Sequence, residues 1–141
     1  MKPYEFFEHT ADIGVRVFGK DLKELFVNAA VAMFEIIAAR KQKAESKSAK
    51  AEKFEIRKQA DNIENLLVNW LGELLFLFAT KNIVFEKFEI KELDEKHIKA
   101  LIFGLAATNF DIKTEIKAVT YHMLEVKKKV KFWQARVVFD V

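Results

Sequence analysis

Polar and apolar positions change period several times along the 141-residue chain. Tyr4 to His9 reads as a strand, and Ile13, Val15 and Val17 alternate with Gly14, Arg16 and Phe18 as a second. Gly19-Lys20 closes that strand. Asp21, with Glu24 three residues on, has the signature of a capping box. Leu22, Leu25, Phe26, Ala29, Met33, Phe34 and Ile37 then recur at helical spacing. From Arg40 to Lys53 the period vanishes into a lysine-rich stretch that reads as a solvated loop. Phe54 and Ile56 alternate with Glu55 and Arg57 as a third strand. Asp61, with Glu64, predicts the cap of a second helix. Its stripe is Ile63, Leu66, Leu67, Trp70, Leu71, Leu74, Leu75 and Phe78, widened by Val68, Phe76 and Leu77. A helix apolar nearly all round is buried, so it belongs at the centre of the domain.

Val84 to Glu92 and His97 to Gly104 predict a hairpin around Leu93-Asp94-Glu95-Lys96. Leu105 to Thr114 carries no clear period. Val119, Tyr121 and Met123 alternate into a strand. That strand would place Ala118, Thr120 and His122 on one face and Lys117, Val119, Tyr121 and Met123 on the other. Lys127-Lys128-Lys129 reads as a turn and Phe132 to Val141 as the last strand. The expected fold class is therefore α+β, with mostly antiparallel strands, two main helices and no internal repeat. One domain spans 1–141.

Composition narrows the chemistry. The chain is 51% apolar with 14 Phe, ample for a core without staples. It has no cysteine, which excludes disulfides, thiolate zinc sites and cysteine nucleophiles. The only serines, Ser46 and Ser48, lie in the polar loop away from any histidine, against a serine triad. Gly14, Gly19, Gly72 and Gly104 stand alone, so no glycine-rich phosphate cradle exists. The N-terminus lacks an apolar signal core. No uncharged run approaches the roughly 18 residues of a membrane span. A soluble, cytoplasmic protein is expected, with no membrane. Net charge is +3, and only Arg16, Arg40, Arg57 and Arg136 among the 24 basic residues are arginines. Bidentate phosphate and base recognition favours arginine, so composition gives weak support to direct nucleic-acid binding. The candidates for it are Arg40–Lys53 and Lys127–Lys131.

The most informative chemistry lies at the two ends. Glu8-His9-Thr10-Ala11-Asp12-Ile13-Gly14 follows the first strand, and the chain finishes on Phe139-Asp140-Val141. If the last strand is central, Asp12, Asp140 and the α-carboxylate of Val141 converge. Packed carboxylates repel unless a cation or proton compensates. An all-oxygen donor set suits calcium, magnesium or manganese and suits zinc or copper poorly. The local alternative has Asp12 capping its own turn and Asp140 simply solvated. His9 would be a ligand, a donor to a ligand or a hydrogen-bonded core residue. For His122 an ordinary structural place is the simpler reading, and His97 at the hairpin turn has no assigned role.

These segments resemble the archease family. The similarity runs through Tyr4–Val15, Leu22–Ala30, Trp70–Leu75, Glu115–His122, Trp133 and Phe139–Val141, in order over nearly the whole chain. The resemblance implies an accessory protein, not an enzyme, that activates an RtcB-type RNA ligase in tRNA splicing. It would promote guanylylation and turnover of the ligase. It also implies a bound divalent metal, described as calcium, at the positions of Asp12, Asp140 and Val141. His9, Lys117 and His122 are then candidates to support those ligands or to touch the partner. A role as chaperone or modulator of tRNA-modifying methyltransferases is the family's alternative, and direct tRNA binding is expected to be weak or indirect. Two departures stand out. Gly72 occupies a position where members often carry Asn. Gly104–Phe110 lacks the Gly-Glu pair and the His common in that stretch.

Overall fold

The computed structural model describes residues 2–41 and 50–141. Most of the expected Arg40–Lys53 loop, with Ser46 and Ser48, lies outside the described residues. In chain order the elements are β1 (Tyr4–His9), β2 (Asp12–Gly19), α1 (Leu22–Ile37), β3 (Ala38–Arg40), β4 (Glu52–Gln59) and α2 (Ile63–Lys81). They continue with β5 (Ile83–Leu93), β6 (His97–Ala106), a 3-10 turn (Ala107–Asn109), β7 (Phe110–Ile112), β8 (Ala118–Lys128) and β9 (Trp133–Asp140). A four-stranded sheet has the order β1-β2-β9-β8, a three-stranded sheet the order β4-β6-β5, and β3 pairs with β7. All pairings are antiparallel. The class is α+β, as the sequence predicts.

Both helices lie between the two large sheets. α1 packs on β2 and reaches β5, while α2 packs on β8, β4 and β5. The expected stripe of α1 is buried, from Leu25 through Ile37. Its start is fixed as the sequence suggests: the Asp21 carboxylate accepts the Glu24 amide at 2.8 Å, and Glu24 accepts the Lys20 amide at 2.9 Å. α2 is tied to α1 by the Trp70 indole, which donates to the Phe26 carbonyl at 3.0 Å. Burying that N–H without a partner would cost about 1–3 kcal/mol. α2 is long and apolar enough to cross a membrane by length and composition alone. Its buried positions run from Ile63 to Leu74 and face the sheets, while its last turns are open, with Phe76 well exposed, so the helix is not buried all round as its composition suggests.

Four expectations need correction. The cap of α2 is Asn62, not Asp61: Asn62 Oδ1 accepts the Asn65 amide at 2.8 Å. Ile63 is already buried as the first helical residue, so the cap falls immediately before it. The unread stretch after β6 holds the 3-10 turn and β7, and β7 pairs with the missed strand β3. The last hairpin turns at Lys129–Phe132 rather than Lys127–Lys129, closed by the Lys129 amide on the Phe132 carbonyl at 2.7 Å. Finally, β8 does not alternate evenly. Tyr121, His122, Met123 and Leu124 stand opposite the single Val137.

Candidate metal centre

β1 and β2 form a hairpin with the two-residue loop Thr10-Ala11, so His9 faces Asp12 across the ladder. Thr10 takes a φ of 50°, which a β-branched side chain disfavours. β9 is an interior strand, and its register sets Asp140 directly opposite Asp12. On the other side Ala118 of β8 faces Asp140. One rung at the end of the sheet therefore reads His9, Asp12, Asp140, Ala118.

The period of two explains which way the carboxylates point. Val15, Val17, Val137 and Phe139 are fully buried beneath the sheet against the helices. Asp12, Gly14 and Arg16, with Asp140, Val138 and Arg136, occupy the opposite, outer face. Behind the carboxylate rung that face has an apolar floor. The Phe7 ring fills the space above Gly14, where an added Cβ would lie 2.2 Å from the ring. Arg16 caps the ring at 4.5 Å, and Val138 is wholly covered. Glycine inside a strand often marks such a close approach, and Gly14 is the one sequence signal for this stack.

The main chain of Asp140 is clamped: its carbonyl accepts the Lys117 amide at 2.7 Å. Val141 is half-buried against the core. Like charges directly opposite each other on an antiparallel pair are destabilising, so an all-oxygen pair of this kind fits a hard cation. Among the described residues, no group of three or more His, Asp or Glu side chains is placed to hold a metal by itself. Two aspartates and the terminal carboxylate would thus form an open, incomplete shell.

His122 is not on the carboxylate rung, where Ala118 stands instead. The β8 bulge lifts it out, exposed, and so Thr120 and His122 do not share the simple face expected for them. The bulge is built by hydrogen bonds. Thr120 Oγ1 donates to the Val138 carbonyl at 2.8 Å, the His122 amide donates to Thr120 Oγ1 at 3.3 Å, and Arg136 Nε donates to the Met123 carbonyl at 2.8 Å. Met123 pays with a left-handed φ of 57°. Tyr121 and Met123 are accordingly exposed rather than core-facing. The Lys117 side of the site opens onto a groove of about 700 Å³ that includes Gly72, Phe76 and Ile112. Sequence periodicity gave no sign of this groove, because Phe76 and Ile112 look like core residues.

The model of the Archease protein family (MTH1598/TM1083) matches residues 4–141. The chain is 42% identical to protein archease of Methanosarcina mazei over 99% of its own length and 97% of that protein. It is 38% identical to protein archease of Methanothermobacter thermautotrophicus over the full length of both. The solution structure of Methanobacterium thermoautotrophicum protein 1598 superimposes with a TM-score of 0.72 at 35% identity, covering all of both chains. A Thermotoga maritima crystal structure, described as an archease and possible chaperone, shares the fold with a TM-score of 0.69 at 23% identity over 96% of this chain and 94% of that one. With the match spanning every element from β1 to β9, this chain belongs to the archease family.

Proposed function

We propose that this protein is a metal-binding accessory factor that activates an RtcB-type RNA ligase in tRNA splicing, promoting guanylylation and turnover without being an enzyme. The observation that carries the reading is the direct opposition of Asp12 and Asp140 on the outer face of the four-stranded sheet. Asp12, Asp140 and the terminal carboxylate of Val141 would hold a divalent cation, calcium before magnesium or manganese, because all three supply hard oxygen donors. Calcium takes about 6–8 oxygens, so this set leaves positions open for water or for groups of the partner. The bound cation would neutralise the paired carboxylates and lend positive charge to that open side. The protein's own residues do the positioning. The tight β1–β2 loop and the interior place of β9 fix both aspartates. Lys117 anchors the Asp140 main chain, and His9 stands across from Asp12. His122, exposed in its bulge, would meet the ligase rather than the cation.

The test is multiple-turnover ligation by the ligase of the same cell, with and without this protein, comparing wild type with Asp140→Ala. Stimulation by wild type alone, with the variant folded, is expected. Equal stimulation by both would remove the carboxylates from the mechanism.

A second reading, a chaperone or modulator of tRNA-modifying methyltransferases, has one observation in its favour. Phe76 and Ile112 beside the groove are 57% and 50% exposed, and apolar surface of this kind marks protein contacts. This reading predicts suppression of methyltransferase aggregation that survives chelation, whereas ligase activation should not.

A further inference from the structure

The end of the four-stranded sheet opposite the carboxylates has its own construction. From the Asp12 rung to the Gly19 rung is seven residues of β2, about 23 Å at about 3.3 Å per residue. There the β8–β9 turn, the N-terminal segment and the β2–α1 turn enclose a pocket of about 390 Å³, lined by Lys2, Lys20, Lys131, Phe18, Phe132 and Asn28 among others. Phe18 and Phe132 meet edge to face at 6.3 Å on its wall. The segment before β1 is held in place by the Phe18 amide on the Pro3 carbonyl at 2.9 Å, and Asn28 donates to the Phe18 carbonyl at 2.7 Å.

The rim is positively charged. Lys2, Lys20 and Lys131 line it and are exposed. Glu24 also lines the pocket, its carboxylate turned to the Lys20 amide at 2.9 Å, so three lysines face one acid there; Asp21 caps α1, and Glu125 pairs with Lys127 at 3.1 Å. Lysines are mobile point charges, suited to phosphates without reading bases. Aromatic walls in a cationic groove are how sequence-tolerant sites take single strands, with bases on the rings and the backbone on the lysines.

We propose that this lysine-rimmed pocket binds the phosphate backbone of single-stranded nucleic acid without sequence preference. The site is concave, which suits a threaded strand. A lipid surface would need a larger apolar wedge than the one fully projecting side chain of the turn, Val130, 97% exposed. The site is separate from the carboxylates and does not depend on them.

The test is fluorescence anisotropy of the full chain with a labelled single-stranded RNA of about 15 nucleotides and the DNA of the same sequence, between about 50 and 200 mM salt. The triple variant Lys2→Gln/Lys20→Gln/Lys131→Gln should bind about tenfold more weakly at the lower salt. Its slope of log affinity against log salt should be shallower by about 2, roughly 0.7 per lost phosphate contact. The Lys→Arg triple variant should keep wild-type affinity, which separates charge from folding. Asp140→Ala should bind normally, so failure here and failure of the carboxylate reading are distinguishable. Binding of RNA and DNA alike, or of RNA alone, supports the site and tells whether the sugar is felt. No binding by wild type, equal affinity in the Lys→Gln triple variant, or preference for vesicles of anionic phosphatidylserine would each overturn it.

Discussion

The two ends of the four-stranded sheet are built from the same strands and differ in almost every physical respect. At one end, β2 begins and β9 finishes on aspartates that the β2–β9 register sets opposite each other, beside the two-residue β1–β2 loop. At the other, a wider turn carries lysines on long flexible stems. Acidic groups face each other beside a two-residue loop, and cations are spread over a longer turn. Crowding like charges costs free energy, and a rigid scaffold that keeps them together preorganises a site. Spread cations cost little and follow an extended ligand. One sheet thus carries a carboxylate pair set by strand register at one end and a lysine-lined pocket built by its turns at the other.

The largest effect should come from moving a cation across that divide. Asp12→Lys would set an ammonium opposite Asp140 and create a cross-strand ion pair. Stability should change by no more than about 1 kcal/mol, while calcium binding and ligase stimulation should vanish. Calorimetry and ligation assays read both. Stimulation that survives this variant would break the comparison at its acidic end.

Glycine replacements sharpen it next. At Gly19 a Cβ would lie 2.4 Å from the Leu25 backbone nitrogen, whereas at Gly14 it would meet the Phe7 ring. Backbone cannot give way as a ring can. Gly19→Ala should therefore cost about 3 kcal/mol or more and Gly14→Ala about 1–3 kcal/mol in urea unfolding. Only Gly14→Ala should weaken calcium binding, because only it disturbs the floor behind the aspartates. A reversed order of stabilities would contradict the packing described.

Thr10→Asn should raise stability by about 0.5–1 kcal/mol, since Asn tolerates the positive φ that a β-branched residue does not. Thermal melts suffice to check it. The smallest effect concerns alkaline pH. Burial first, and then the hydrogen bond to Glu35 at 2.8 Å, push the Tyr4 hydroxyl up to about 12 from 10.0. A raised folded-state value means that this contribution is fully present below pH 10 and lost as pH rises toward 12. Wild type should lose melting temperature over that interval more steeply than Tyr4→Phe, and parallel curves would show that the contact contributes nothing.

Much of this was legible because it is local. The Asp21–Glu24 cap, the α1 stripe and the alternation of Ile13, Val15 and Val17 each state their structure within one element. The convergence of Asp12 and Asp140 needed only one inference, that an apolar final strand would be interior. What stayed hidden depends on residues distant in sequence. The β8 bulge is held by Arg136 and Thr120 reaching across to other main chain, so Val119, Tyr121 and Met123 keep a strand's alternation in sequence that the bulge breaks in space. β3 and β7 are three residues each and make sense only together. Phe76 and Ile112 carry a core composition and an exposed position, which no periodicity distinguishes. Most of the polar loop expected to contribute lysines lies outside the described residues, and its ends, Arg40 and Lys53, belong to β3 and β4.

The most direct measurement is calorimetric titration of calcium into metal-free wild type and Asp140→Ala, with melting curves of both. One site and a calcium-raised melting temperature are expected in wild type, and neither in the folded variant. Equal binding by both proteins, or no binding by wild type, would contradict the claim that the paired aspartates hold a cation.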